Sequence, residues 1–178
     1  MSHNKNNSLT ELAKSAVENY IENKKIILPP KNLSKKFLTK KSGVFVTIKK
    51  EKSLRGCIGT YLPTKKNIAE ETIQNAIAAA VEDYRFGPVQ KEELPYLNYE
   101  VSILSKPKQI KDLSELNPKK YGIIVQSAEN PFKKGLLLPD IEGVDTVEKQ
   151  IAIAAHKGGI GLPKEKIIIY RFTIEKYD

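Results

Sequence analysis

GVFVTIKKEKSLRGCIGTY, residues 43–61, is the stretch of sequence that decides the fold. Its first half alternates valine and isoleucine at 44, 46 and 48 with Phe45 and Thr47. A period of two places these two sets on opposite faces of a strand. Residues 50–53 are polar and favour a turn, and residues 54–61 predict a second strand. The stretch therefore predicts a β-hairpin.

Three other segments carry the apolar spacing of amphipathic helices. Each opens with a capping residue followed three positions later by glutamate, the pattern of a capping box, and the pairs are Ser8 with Glu11, Asn67 with Glu70, and Asp145 with Glu148. The first helix is expected to end near Lys24, the second before Asp83 and the third at Gly158-Gly159.

Further strands are predicted at 99–103, 121–127, 135–138 and 167–174, and residues 31–42 are predicted to be a connecting segment. The element order becomes α-β-β-α-β-β-β-α-β. Because the strands cluster in hairpins, the fold class is α+β, with mostly antiparallel sheets and packed helices. A length of 178 residues fits one domain.

The composition narrows the classes of function. Apolar residues make up 40% and charged residues 29% of the chain, as in ordinary globular proteins. No apolar run approaches the ~20 residues of a membrane span, and the N-terminus lacks the apolar core of a secretory signal, so we expect a cytoplasmic protein. One cysteine and two histidines without ligand spacing predict no metal site. No motif identifies a cofactor.

Positive charge is concentrated in the N-terminal third. The net charge is +9, but residues 1–66 carry 15 Lys/Arg and 4 Asp/Glu, a balance of +11. This asymmetry indicates either an anionic partner or a solvated lysine surface. Because the lysines occur as scattered pairs with no aromatic stripe near them, nucleic acid is expected to bind weakly at most, and less as salt rises.

Cys57 is the candidate catalytic residue, together with Arg55. Glycines at 56 and 59 are unfavourable inside a strand and indicate a bulge or the close approach of a backbone or ligand. Arg55 stands two positions before Cys57, on the same face of a regular strand, where a guanidinium would favour the thiolate. The alternative is a buried core cysteine. Only His156 could serve as a histidine base, and a charge at a helix end explains it equally well.

The remaining site candidates are anion contacts. Only 3 of the 30 basic residues are arginine, whose planar fork grips a carboxylate or phosphate with two hydrogen bonds. We therefore expect a small anionic ligand at the hexapeptide, with structural salt bridges as the alternative. The predicted ligand-binding residues are Gly56, Gly59, Thr60, Arg85 and Arg171.

Several motifs carry a resemblance to a known family: Leu54-Arg55-Gly56-Cys57-Ile58-Gly59, Asp83-Tyr84-Arg85-Phe86, Lys157-Gly158-Gly159-Ile160 and Tyr170-Arg171-Phe172. Over residues 8–176 the chain resembles the AMMECR family, known in prokaryotes as AmmeMemoRadiSam system protein A. The resemblance implies one α+β domain with two lobes around a cleft near the hexapeptide. We expect residues 43–104 to form the smaller lobe and the N- and C-terminal segments the larger one.

Three hypotheses of function follow, and whether the chain is an enzyme stays open among them. The first is a cytosolic enzyme of unassigned reaction with an Arg-Gly-Cys site in the inter-lobe cleft. It would belong to a system with a Memo-type protein and a radical-SAM protein, as the resemblance implies. The second is a nucleic-acid-binding protein that uses the basic N-terminal third. The third is a non-catalytic partner of the Memo-type and radical-SAM proteins.

Overall fold

The computed structural model describes residues 9–178 of the chain. Its helices are α1 (Leu9–Asn23), α2 (Lys35–Thr39), α3 (Ile68–Val81) and α4 (Val147–Lys157). Its strands are β1 (Val44–Lys50), β2 (Ser53–Thr60), β3 (Leu97–Leu104), β4 (Lys108–Gln109), β5 (Gly122–Ser127), β6 (Lys134–Leu137), β7 (Ile167–Phe172) and β8 (Ile174–Tyr177). Short 3₁₀ turns occupy Lys91–Tyr96 and Leu113–Glu115. The predicted α+β class with antiparallel sheets is confirmed.

These elements form two compact units. The described residues up to Leu104, with Glu175–Asp178, form the first unit, and Ser105–Ile174 form the second. The units differ from the lobes expected from the sequence, because α1 shares one hydrophobic core with β1, β3 and α3. The two-lobe arrangement around a cleft stays a prediction.

The first unit is built on the predicted hairpin. Its sheet has the order β2-β1-β3-β8, with β1 antiparallel to both β2 and β3. One face of β1, made by Val44, Val46 and Ile48, is fully buried in the core that includes α1 and α3. The Asn67 side chain caps α3 by accepting a hydrogen bond of 2.9 Å from the Glu70 amide. The predicted cap at Ser8 lies outside the described residues.

The second unit pairs a smaller sheet with α4. Its sheet has the order β4-β7-β5-β6, and β7 and β6 are antiparallel to β5. The Thr146 hydroxyl, instead of Asp145, caps α4 by accepting from the Lys149 amide at 3.2 Å. Gly158 is the C-cap, as predicted. Among residues 9–178, no helix combines the length and the apolar character needed to cross a membrane.

Three short elements escaped prediction from the sequence. The segment 31–42 is not only a connection, because it contains α2 and buries Phe37. The predicted strand 167–174 ends at Phe172, and β8 then joins the first sheet. Strand β4 is only two residues long. Such elements are stabilised by distant partners, such as the Tyr177 ring of the β8 strand at 5.6 Å from the Phe37 ring.

A one-residue bulge at Arg55 sets the register of the hairpin. Lys50 pairs with Ser53 across the turn, but beyond Ile48 the register shifts by one, so that Ile48 faces Gly56 and Thr47 faces Cys57. Arg55 is the extra residue of the bulge, and no residue of β1 stands directly opposite it. Because side chains alternate along a strand, this single insertion decides which face every later residue of β2 occupies.

Gly56 lets α3 approach the bulged strand. A Cβ atom at Gly56 would lie 2.1 Å from the Ala79 carbonyl oxygen in α3. The sequence analysis gave a bulge, or the close approach of another backbone or a ligand, as reasons for glycine here. The structure has a bulge at Arg55 and the close approach of the α3 backbone.

Gly56→Ala is expected to destabilise the first unit, because either α3 or β2 must shift to relieve the clash. Overpacking of this kind costs about 1–3 kcal/mol or more in free energy of unfolding. Gly87→Ala is the matched control, since no atom lies within 4 Å of a Cβ built there. Thermal and urea melts compare the two. Equal melts for both variants would contradict the packing role of Gly56.

Candidate functional site

A row of three polar side chains crosses the first sheet on the face opposite the core. Thr47 in β1 stands directly opposite Cys57 in β2 and Glu100 in β3. The Thr47 Oγ1 atom lies 3.3 Å from the Cys57 Sγ atom. Directly opposite residues on antiparallel strands have Cβ atoms ~4.5–5.5 Å apart. The register therefore lines up a thiol, a hydroxyl and a carboxylate.

Two lysines hold the carboxylate of this row. Lys49 donates to Glu100 Oε1, and the Lys176 ammonium lies 3.1 Å from Oε2. Partial burial acts to raise the pKa of Glu100, but the hydrogen bonds from Lys49 and Lys176 outweigh it, so the pKa lies below its ordinary value. Glu100 is therefore an anion at neutral pH.

Two side chains cover the free edge of β2 at Cys57. Asp83 Oδ2 accepts a hydrogen bond of 2.9 Å from the Cys57 amide, and Arg85 Nη2 lies 3.4 Å from the Cys57 carbonyl oxygen. Asp83 and Arg85 therefore contact the Cys57 amide and carbonyl, the groups to which a neighbouring strand would be hydrogen-bonded. These groups therefore point away from β1, which makes Cys57 and Thr47 a non-hydrogen-bonded pair, the type with closer side chains.

Asp83 and Arg85 form a bidentate pair. Arg85 Nε donates to Oδ1 at 2.9 Å and Nη2 donates to Oδ2 at 2.7 Å. Hydrogen bonds from Arg85, opposed by burial and helped by the Cys57 amide, lower the pKa of Asp83 to about 2. The Asp83 side chain is 3% exposed, whereas that of Arg85 is 45% exposed. Arg85 is thus the solvent-facing guanidinium next to Cys57.

Arg55 uses its fork within the protein. Its Nε and Nη2 atoms donate to the two carboxylate oxygens of Glu93 at 2.9 and 2.8 Å, and Nη1 donates to the Gly87 carbonyl at 2.9 Å. The side chains of Arg55 and Glu93 are only 16% and 15% exposed. The hydrogen bonds from Arg55 are the main cause that lowers the pKa of Glu93 to about 2. This geometry is that of a structural salt bridge, which the sequence analysis gave as the alternative to a ligand contact, and the partner of Arg55 is Glu93.

Protein groups also occupy the space around the other predicted residues of β2. A Cβ at Gly59 would meet the Phe45 ring at 2.2 Å. Thr60 donates to the carboxylate of Glu71 at 2.7 Å and lies 3.3 Å from the Asn75 amide nitrogen. In this structure Gly56, Gly59 and Thr60 therefore serve packing and hydrogen bonding.

The remaining candidates lie in the second unit. The Arg171 guanidinium donates to the Glu115 carbonyl at 2.5 Å and stacks 4.6 Å from the centre of the Tyr121 ring. His156 is exposed in the last turn of α4. Within residues 9–178, no three His, Cys, Asp or Glu side chains are grouped so that they could hold a metal ion.

Thr47, Lys49 and Glu100 were not recognised as site residues from the sequence. Counting residues outward from the turn without a bulge would pair Cys57 with Val46, whose side chain is on the buried face. In the structure the residue opposite Cys57 is Thr47. The signal that could have corrected it is Gly56, since a glycine inside a strand often marks a bulge.

Comparison with known proteins assigns the chain to a family. The AMMECR1 family model matches residues 10–177. The chain belongs to the AMMECR1 family. A protein of Thermotoga maritima is 51% identical over 162 residues, which cover 90% of this chain and 91% of the relative. A crystal structure of an uncharacterized protein from Pyrococcus horikoshii has a TM-score of 0.84 and 34% identity, and the match covers 94% of this chain and 88% of that one.

One family relative is much longer than this chain. A protein of Clostridium acetobutylicum is 48% identical over 137 residues, which cover 77% of this chain but only 27% of that protein. A segment similar to this AMMECR1 chain is therefore part of a larger polypeptide there.

The Arg55–Glu93 pair is expected to make folding stability depend on acid pH. A carboxylate with a lowered folded-state pKa contributes stability above its unfolded pKa of about 4.3, and this contribution is lost as pH falls towards 2. Glu93→Gln should lower the free energy of unfolding at pH 7 by about 1–3 kcal/mol and flatten its decline between about pH 5 and 2. Part of the decline in stability with falling pH remains in this variant, because the pKa of Asp83 is also lowered to about 2.

Urea unfolding across this pH range measures the effect. Glu92→Gln is the control, because Glu92 is exposed in the same 3₁₀ turn and its change alters the net charge equally. Arg55→Lys should lose stability as well, since an ammonium cannot replace two parallel hydrogen bonds and the bond to Gly87. Identical pH profiles for Glu93→Gln and Glu92→Gln would contradict the role of the pair.

Proposed function

We propose that this AMMECR1-family chain is a cytosolic enzyme that acts on a small anionic ligand at the outer face of the first sheet. The observation that carries the proposal is the row of Cys57, Thr47 and Glu100 beside the half-exposed guanidinium of Arg85. A positive charge beside a thiol favours the thiolate, which is the nucleophilic form of cysteine.

Each residue takes a distinct role in this proposal. Cys57 is the nucleophile, and the positive charge of Arg85 at its backbone stabilises the thiolate. Thr47, at 3.3 Å, exchanges a hydrogen bond with the sulfur. Glu100, directly opposite Thr47, adds a carboxylate that Lys49 and Lys176 hold on the same face. Arg85 turns the exposed part of its guanidinium towards a ligand carboxylate or phosphate.

Arg55 has a different role from the one expected from the sequence. In the proposal it is a positioning residue, because its bonds to Glu93 and Gly87 hold the segment 83–93 along the edge of β2. That segment in turn brings Asp83 and Arg85 to Cys57. The guanidinium beside Cys57, which the sequence analysis expected to be that of Arg55, is in this proposal that of Arg85.

Alkylation and ligand binding test the enzyme proposal together. Small carboxylates and phosphates are screened by thermal shift, and those that raise the melting temperature are added before iodoacetamide. We expect them to slow alkylation of Cys57 by about tenfold. Cys57→Ser should still bind them, whereas Arg85→Gln should bind about ten- to a hundredfold more weakly, as expected for a lost charge-assisted bond.

Lys91→Gln is the matched control, since it removes the same charge from an exposed position of the first unit. The proposal fails if ligands that shift the melting temperature leave alkylation of Cys57 unchanged and bind Arg85→Gln as tightly as wild type.

A second candidate function is that of a component working with partner proteins. Large apolar side chains at Leu28, Tyr84 and Phe132 are strongly exposed, and each could contact a partner protein. The longer Clostridium acetobutylicum relative supports a role beside other domains. The family resemblance names the expected partners as a Memo-type protein and a radical-SAM protein.

Sedimentation of the purified protein with those two proteins from the same organism tests the association. We expect a complex that Cys57→Ser leaves intact and that Tyr84→Ser or Phe132→Ser weakens, because an exposed aromatic side chain at an interface contributes much of its affinity. Independent sedimentation of all three proteins at micromolar concentration would contradict it.

A further inference from the structure

A pocket of about 410 Å³ lies in the first unit, between α1 and the segment that follows it. Its lining residues are the polar Glu11 and Ser15 and the apolar Leu12, Ile27, Leu28, Pro30 and Leu33. None of these residues belongs to the row at Cys57. We call this surface the Leu28 pocket.

Apolar side chains at the mouth of the Leu28 pocket face solvent. Leu28 is 86% exposed, and nearby Ile26 is 63% exposed. Single exposed apolar residues are ordinary on protein surfaces, but Leu28 also lines a pocket, and a partner that fills the pocket would cover it. Pro29 and Pro30 fix their own backbone φ angles. Binding of a partner to this segment therefore costs little further backbone entropy.

The chain around the pocket is strongly basic. Between Asn23 and Ser42 there are no acidic residues and seven lysines: Lys24, Lys25, Lys31, Lys35, Lys36, Lys40 and Lys41. One of them, Lys36, is bonded to Glu175, and another, Lys24, lies over the Tyr20 ring. Lys25 and Lys31 are exposed, and each is two positions or fewer from a residue that lines the pocket. Exposed lysines thus flank the lining residues along the chain, and we call Lys25 and Lys31 the rim of the pocket.

We propose that the Leu28 pocket binds a short acidic segment of a partner protein, with one large apolar side chain in the pocket and flanking aspartate or glutamate residues facing the lysines. The apolar wall provides the burial, and the rim provides complementary charge and orientation. This proposal is independent of the chemistry at Cys57.

The lining of the pocket favours a peptide over other anions. Glu11 places a carboxylate in the wall, which repels a phosphate that enters the pocket, so a ligand that fits is expected to put an apolar side chain inside and keep its negative charges outside, towards the lysines. Nucleic acid would leave the apolar wall unused. The chain's own residues 1–8 offer no match, since they contain no acidic residue and only Met1 is apolar.

The test uses two short fluorescent peptides of alternating aspartate, glutamate and serine, one with a central leucine and the other with serine in its place. Fluorescence anisotropy at physiological salt measures the binding of both. We expect the leucine peptide to bind about ten- to a hundredfold more tightly, as burial of one leucine side chain predicts. Leu28→Ser should reduce this difference severalfold or more without unfolding the protein, because Leu28 makes little of the core.

Charge is tested with a matched pair of double variants. Lys25→Glu/Lys31→Glu should abolish binding, whereas Lys106→Glu/Lys164→Glu, at exposed positions in the second unit, should retain it at the same net charge. Equal binding of both peptides, or equal loss in both double variants, would reduce the effect to general lysine electrostatics and overturn the proposal.

Two other occupants are distinguished in the same series. Vesicles with anionic lipid that bind the protein through Leu28 and displace the leucine peptide would identify a membrane surface instead. Concentration-dependent self-association that Leu28→Ser abolishes, without peptide binding, would identify a second copy of the chain. Either result would overturn the proposal of an acidic partner segment.

Discussion

The bulge at Arg55 is the constraint on which the outer face of the first sheet depends. Counted from the turn without it, the hairpin register would place Cys57 opposite Val46, on the face that is buried against the helices. With it, Cys57 stands opposite Thr47 and in line with Glu100. A single extra residue thus converts a core cysteine into one that can meet a ligand.

Two contacts stabilise this bulge from opposite sides of the strand. On the core side, the absence of a side chain at Gly56 allows the Ala79 carbonyl to lie where a Cβ would stand. At the strand edge, Arg55 leaves the ladder and binds Glu93 and the Gly87 carbonyl. Lysine would meet neither the bidentate geometry nor the third bond, which explains arginine at this position in a chain that otherwise prefers lysine.

Local sequence patterns predicted the hairpin and all three long helices, because periodicity and capping residues act within a few positions of each other. They did not predict the partner of Arg55, which lies 38 positions away, or β8, which joins its sheet only at the end of the chain. The row at Cys57 depends on the register, and the register depends on a helix that packs from outside the hairpin. Within 43–61 only Gly56 indicates a bulge, and nothing there identifies the helix that packs against it.

The departure from local regularity coincides with the residues that we propose carry the chemistry. Bulges are found beside active sites because they redirect a side chain while the sheet stays intact. Proteins are expected to break a local rule mainly where function requires it, with compensation from nearby contacts. Here the compensation is visible, since Asp83 and Arg85 satisfy the backbone of Cys57 as a strand would. The two arginines therefore differ in their contacts: Arg55 is bonded on all sides within the protein, whereas Arg85 remains half-exposed, where the proposed anion would bind.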